Sequence, residues 1–156
     1  MIADIEFRTV DTEKPMEWRT FLRIFWDIPL SQNRYFTPRS DEFVDQWMES
    51  ARETETERNT FSGVALHDGT IVGIHLIRTY EEYERLGAHI AGLWVHPDYR
   101  RRGIAGRLKE LGEAWAHEVG AEFLNTNVQV GNEEMLRINE VRGFVPFRIS
   151  MRKDLR

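Results

Sequence analysis

The chain has 156 residues, 41% hydrophobic and 30% charged, with a formal net charge of −5, which suits one globular domain with its own core. It has no cysteine, which excludes disulfides, thiol nucleophiles and cysteine-based zinc sites. Net acidity argues against a general nucleic-acid binder, whose affinity comes from neutralising phosphates. No apolar run is long enough to cross a bilayer, and the N-terminus carries no basic-then-apolar signal segment. The expectation is a cytoplasmic protein with no membrane or nucleic-acid partner.

In chain order, Ile5 and Phe7 alternate with polar residues and predict a strand within Ile2 to Val10. Asp11 and Thr12 offer an N-cap, and Pro15 suits the first turn of a helix that carries Trp18, Phe21, Leu22 and Phe25 on one face. Pro29 ends that element. The stretch Pro29 to Ser40 has turn residues and two aromatics, Tyr35 and Phe36, outside any helical stripe. A second helix starts at Ser40 or Asp41, with Phe43, Val44, Trp47, Met48 and Ala51 on one side; charged Arg52 to Asn59 reads as a loop.

Two strands follow, Thr60 to His67 and Thr70 to Tyr80, joined by the hairpin signal Asp68-Gly69. Polar Glu81 to Gly87 reads as a loop and Ala88 to Val95 as a buried strand. Ile104, Leu108, Leu111 and Trp115 mark an amphipathic helix that Gly120 stops. A fifth strand over Glu122 to Val130, a short helix over Asn132 to Arg142 and closing strand or strands within Val145 to Lys153 complete the order. Strands interspersed with helices imply a mixed α/β single domain.

The most informative stretch links the Val95 strand end to the Ile104 helix start. Three arginines, Arg100, Arg101 and Arg102, precede Gly103, and the small residues Ala105 and Gly106 let backbone approach a ligand. The first N–H groups of a helix lack intrahelical partners and, with the helix dipole, form a site for phosphate or pyrophosphate. Gly106 is followed by Arg107-Leu108 rather than Lys-Ser/Thr, so this is not a Walker loop. Nor does it carry the Gly-x-Gly-x-x-Gly of a dinucleotide fold. A phosphorylated cofactor of another kind is implied.

Arg100-x-x-Gly103-x-Ala105, led by Val95-x-Pro97-x-Tyr99, resembles the acetyl-coenzyme A signature of the GNAT superfamily of N-acyltransferases. Asn132 through Gly143-Phe144 resembles that family's second segment, an Asn-led helix closing on Gly-Phe. The resemblance implies a GNAT fold: a twisted, mostly antiparallel sheet, splayed between its fourth and fifth strands and flanked by about four helices. It also implies acetyl transfer from acetyl-coenzyme A to a primary amine of a small molecule or peptide, by direct attack in a ternary complex. The pantetheine arm would lie along Leu93, Trp94 and Val95, with the pyrophosphate on the N–H groups of Arg101, Arg102, Gly103, Ile104, Ala105 and Gly106. Arg100 belongs to the same cofactor-binding signature, and Asn132 would lie near the pantetheine. Dimers are common in the family, and this chain's oligomeric state is not legible.

His89, on the strand before the signature, is the candidate general base; a strand histidine that only hydrogen-bonds a neighbour is the competing reading. Many members carry a tyrosine four residues before the Gly of Gly-Phe, as acid to the leaving thiolate. Asn139 stands there as the candidate catalytic and cofactor-binding residue, and an amide donates hydrogen bonds without giving up a proton near neutral pH. Either Asn139 only stabilises the sulfur, or water or another residue protonates it. The acceptor pocket falls to the first two helices and their connection, with Tyr35 and Phe36 as candidate walls. The other histidines, His67, His75, His96 and His117, lack metal-ligand spacing, and no metal is expected. A non-catalytic acyl-coenzyme A-binding regulatory module, or transfer of another acyl group, are the alternatives.

Overall fold

The computed structural model describes residues 3–31, 35–57 and 59–156; Ile2 and Arg58 lie outside them. Residues up to Thr126 form one compact unit and residues from Asn127 onward a second.

The first unit is built on a five-stranded sheet, in the order β1 (Ile5–Thr9), β2 (Thr60–His67), β3 (Thr70–Glu82), β4 (Arg85–Val95), β5 (Phe123–Thr126). Strands β1 to β4 are antiparallel to their neighbours, whereas β5 joins β4 in parallel, across Gly87–Ile90 only. From Ala91 to Val95 no strand among the described residues pairs with β4 on that side, which is the expected splay. Helices cover both faces, so the central strands read as near-continuous apolar runs. On one face α1 (Pro15–Asp27) buries Trp18, Phe21 and Leu22 against Ile74 and Leu76. On the other, α3 (Ile104–Glu118) buries Ile104 and Leu108 against Ala65, Val72 and Val95.

Several elements differ from the sequence expectation. The cap of α1 is Lys14, with no side-chain hydrogen bond. Asp11 instead makes a local turn, its Oδ1 accepting from Glu13 N, while Glu17 accepts from Asp11 N and from Arg8. Helix α2 (Asp41–Glu57) starts under Ser40, whose Oγ accepts from Phe43 N, but continues as far as Glu57 into the segment expected to loop out. Its inner face is extended by Glu55, a charged residue held by the Ser62 hydroxyl, so apolar periodicity does not reveal it. The expected loop at Glu81 to Gly87 is a tight hairpin turning on Tyr83 and Glu84, both with positive φ (50° and 63°). Strand β5 ends at Thr126 rather than Val130.

In the second unit, α4 (Glu133–Val141) is capped by Asn132, whose Oδ1 accepts from Met135 N at 3.2 Å. No strand forms in residues 145–153. Val145, Phe147, Ile149 and Met151 alternate as a strand would, yet all are exposed. Alternation selects a face, but a strand also needs a ladder partner, and none pairs with this stretch among the described residues.

Gly112 sets how closely α3 lies on the sheet. A Cβ there would stand 2.5 Å from Ile77 Cδ1 and 2.9 Å from His75 Cδ2. Overpacking costs ~1–3 kcal/mol, against about 1 kcal/mol gained in helix propensity. Gly112→Ala is therefore expected to lower unfolding stability by roughly 1 kcal/mol in a urea titration. An unchanged or higher midpoint would show that the helix can lift without penalty.

Candidate functional site

The turn after β4 places the three arginines at the start of α3. His96 N donates to Val72 O at 2.8 Å, and a short 3-10 turn (Pro97–Tyr99) follows, with His96 Nδ1 accepting from Asp98 N. Arg100 folds back so that its Nε donates to Val95 O at 2.9 Å, tying the loop to the strand end. Arg101 and Gly103 have positive φ (61° and 86°), which reverse the chain into α3. Gly103 is the N-cap and offers no capping side chain, so the first-turn N–H groups stay available. A Cβ on Gly103 or Gly106 would meet nothing within 4 Å. Buried Ile104 and Leu108 pin this turn over Gly73, and Arg102 lies over the Tyr99 ring at 5.0 Å. The result is an open, arginine-rich turn at which the first N–H groups of α3 have no side-chain cap.

Upstream, β4 is irregular at Ala91. Leu76 of β3 pairs with Gly92 and Ile77 with Ile90, leaving Ala91 as an extra residue, a β-bulge. Buried His75 meets the Gly92 carbonyl through Nδ1 at 3.0 Å. A Cβ on Gly92 would be 3.0 Å from both Phe25 and Ile28, so glycine lets α1 and the turn after it reach the bulge. Leu93, Trp94 and Val95 pair with β3 on one side, while their other edge has no strand partner among the described residues.

Two residues before the bulge, His89 has an oriented imidazole. Its Nδ1 lies 2.6 Å from Oδ1 of Asn125 on β5, and Asn125 Nδ2 donates to the Tyr80 hydroxyl on β3. The Asn125 amide thus turns its oxygen to His89, which makes Nδ1 the protonated nitrogen and leaves the lone pair on Nε2. The rings of Tyr80 and His89 meet edge to face at 6.4 Å. Neither Asn125 nor Tyr80 was singled out by sequence reasoning. Only the strand register joins them, and that register depends on the bulge.

Against the α1 and α2 side of the sheet lies a cavity of about 200 Å³, walled by Phe25 and Trp26 of α1, Trp47 and Glu55 of α2, and Leu76 and Arg78 of β3. Burial pushes the Glu55 carboxyl up from its ordinary value, against the opposing effects of the Ser62 hydrogen bond and the Arg78 charge. Arg78 stands 5.5 Å from the Phe25 ring centroid. Tyr35 and Phe36, the expected pocket walls, do not line this cavity; Tyr35 is 57% exposed. Trp18 is core, its Nε1 donating to Met48 O, while Trp47 is half-exposed at the cavity.

In the second unit, Asn132 uses its side-chain oxygen as a helix cap. Asn139 is buried, its main-chain oxygen accepting from Phe144 N and its Oδ1 lacking a hydrogen-bond partner among the described residues.

A model of the acetyltransferase (GNAT) family matches residues 18–144. The mycothiol acetyltransferase of Propionibacterium freudenreichii subsp. shermanii is 30% identical over 76 residues, which span 49% of this chain but only 24% of that protein. An aminoglycoside acetyltransferase from an uncultured soil metagenomic sample, solved with sisomicin, superposes with a TM-score of 0.73 at 17% identity, covering 98% of this chain and 97% of its own. The structure of AAC(6')-Iy with a coenzyme A bisubstrate analogue gives 0.73 at 16% identity, covering 97% and 98%. At these identities the solved structures agree in fold.

Proposed function

The chain belongs to the GNAT acetyltransferase family, and on that premise we propose that it acetylates a primary amine of a small molecule or peptide by direct attack in a ternary complex. Acetyl-coenzyme A, the family's donor, supplies an activated carbonyl; transfer exchanges its C–S bond for a C–N bond and releases the free thiol. The residues present fit that group. The uncapped N–H groups from Gly103 to Gly106, over which no Cβ intrudes, bind the diphosphate, with Arg101 and Arg102 adding charge. The unpaired edge at Leu93, Trp94 and Val95 takes the amide-bearing pantetheine arm as a strand would.

The observation that carries catalysis is the His89–Asn125 hydrogen bond. A protonated amine has no lone pair with which to attack, so a base must accept its proton, and Nε2 of His89 is the acceptor that Asn125 leaves exposed. Holding amine and carbonyl together supplies much of the remaining acceleration. Asn139 gives no proton to the sulfur, because its amide hydrogen-bonds without ionising near neutral pH; water protonates the departing thiolate. The test is thiol release from acetyl-coenzyme A across a panel of amines, beside calorimetry with coenzyme A. Release with at least one amine is expected. Coenzyme A binding without release for any amine would instead identify a non-catalytic module.

A further inference from the structure

The cavity beside the bulge carries one unusual group, and it sits next to the base. Arg78 pairs directly with His89 in the β3–β4 register. Opposed residues on antiparallel strands have Cα atoms about 4.5–5.5 Å apart and point to the same face. The Nε–H of Arg78 is buried with no hydrogen-bond acceptor among the described residues. Arg78 lines the cavity, and a guanidinium there with an unanswered donor favours a ligand that brings an oxygen acceptor, best of all a carboxylate. The remaining wall is mostly aromatic and aliphatic, and its one carboxylate among the described residues, Glu55, already accepts from Ser62 and faces the Arg78 charge. A polycationic acceptor would need several carboxylates, and this lining offers one, offset by a guanidinium.

Building on the acetyl-transfer reading above, we propose that the acceptor is an apolar amino carboxylate. Its carboxylate lies on Arg78, its amine reaches Nε2 of His89, and its hydrocarbon or aromatic body fills the space between Phe25, Trp26 and Trp47.

The test uses the purified full chain, acetyl-coenzyme A and three probes of similar shape: L-phenylalanine, L-phenylalaninamide and phenethylamine. Thiol release is expected for phenylalanine with kcat/KM roughly tenfold to a hundredfold above phenethylamine, the difference lying in KM. The amide should fall toward phenethylamine. Arg78→Met should erase the preference and Arg78→Lys keep part of it, with coenzyme A affinity unchanged in both. If phenethylamine or a carboxylate-free polyamine is acetylated as well as phenylalanine, or if Arg78→Met keeps the preference, the amino carboxylate assignment is wrong while acetyl transfer stands. If the amide matches the acid, a peptide N-terminus replaces it. If no amine releases thiol, acetyl transfer fails and the assignment goes with it.

Discussion

His89→Ala is expected to lower kcat for acetyl transfer by about 10²–10⁴-fold, the usual contribution of a positioned general base, without weakening coenzyme A. The expectation rests on the Asn125 amide, which fixes the imidazole tautomer from the side away from Nε2. His89→Gln is the sharper variant. Its amide keeps a hydrogen-bonding group of similar length on β4, but it cannot take a proton. Turnover in His89→Gln should fall as far as in His89→Ala, with an unchanged melting temperature. Asn125→Ala should reduce kcat by a smaller factor, since the imidazole remains but its orientation loosens. Steady-state kinetics across pH decide the matter. Turnover in His89→Gln equal to the parent at every pH would remove the residue from the chemistry and leave it a sheet contact between β4 and β5.

Gly106→Leu should be the second large effect, this time on binding alone. A Cβ at Gly106 meets no protein atom within 4 Å, and the position lies in the first turn of α3. Replacing a helical glycine raises helix propensity by up to about 1 kcal/mol, so the variant should melt at the same temperature or slightly higher. On the proposed binding mode, the bulkier side chain nevertheless enters the space that the diphosphate needs to reach the N–H groups. Coenzyme A affinity is expected to drop by at least roughly tenfold, a penalty of about 1.4 kcal/mol. Calorimetry and a thermal melt on the same sample read both quantities. An undiminished affinity would mean that the ligand does not approach α3 from its N-terminal end.

Local signals account for what could be read without coordinates. Thr60–His67 keeps its expected bounds because alternation and Asp68-Gly69 define both strand and turn. The turn and helix start after Val95 are legible because glycine and arginine are adjacent in sequence there. Other features needed long-range information. The helical course of Arg52 to Glu57 is hidden because its inner face includes Glu55, whose partner Ser62 comes from β2. The turn at Tyr83 and Glu84 uses positive φ without the glycine or asparagine that announces it. The partners of His89 come from β3 and β5, and a one-residue bulge at Ala91 decides which residues face it. Tyr35 and Phe36 stood out in sequence as aromatics outside a stripe, whereas the cavity took its aromatics from within the helices.

Strands β2, β3 and β4 are joined by two-residue turns, whereas β5 reaches β4 only after the chain has passed through the arginine loop and α3. During synthesis the three hairpin strands can zip together as they leave the ribosome, because loop closure is cheap for neighbours. The parallel pairing, and with it the Asn125 contact to His89, must wait for the crossover to fold. The arginine loop, the proposed diphosphate site, lies inside that late segment, so a ligand bound there would act as a clasp on the last step of maturation. Cells rich in the donor would then hold more of the chain in its finished form, by mass action rather than by any change in its sequence.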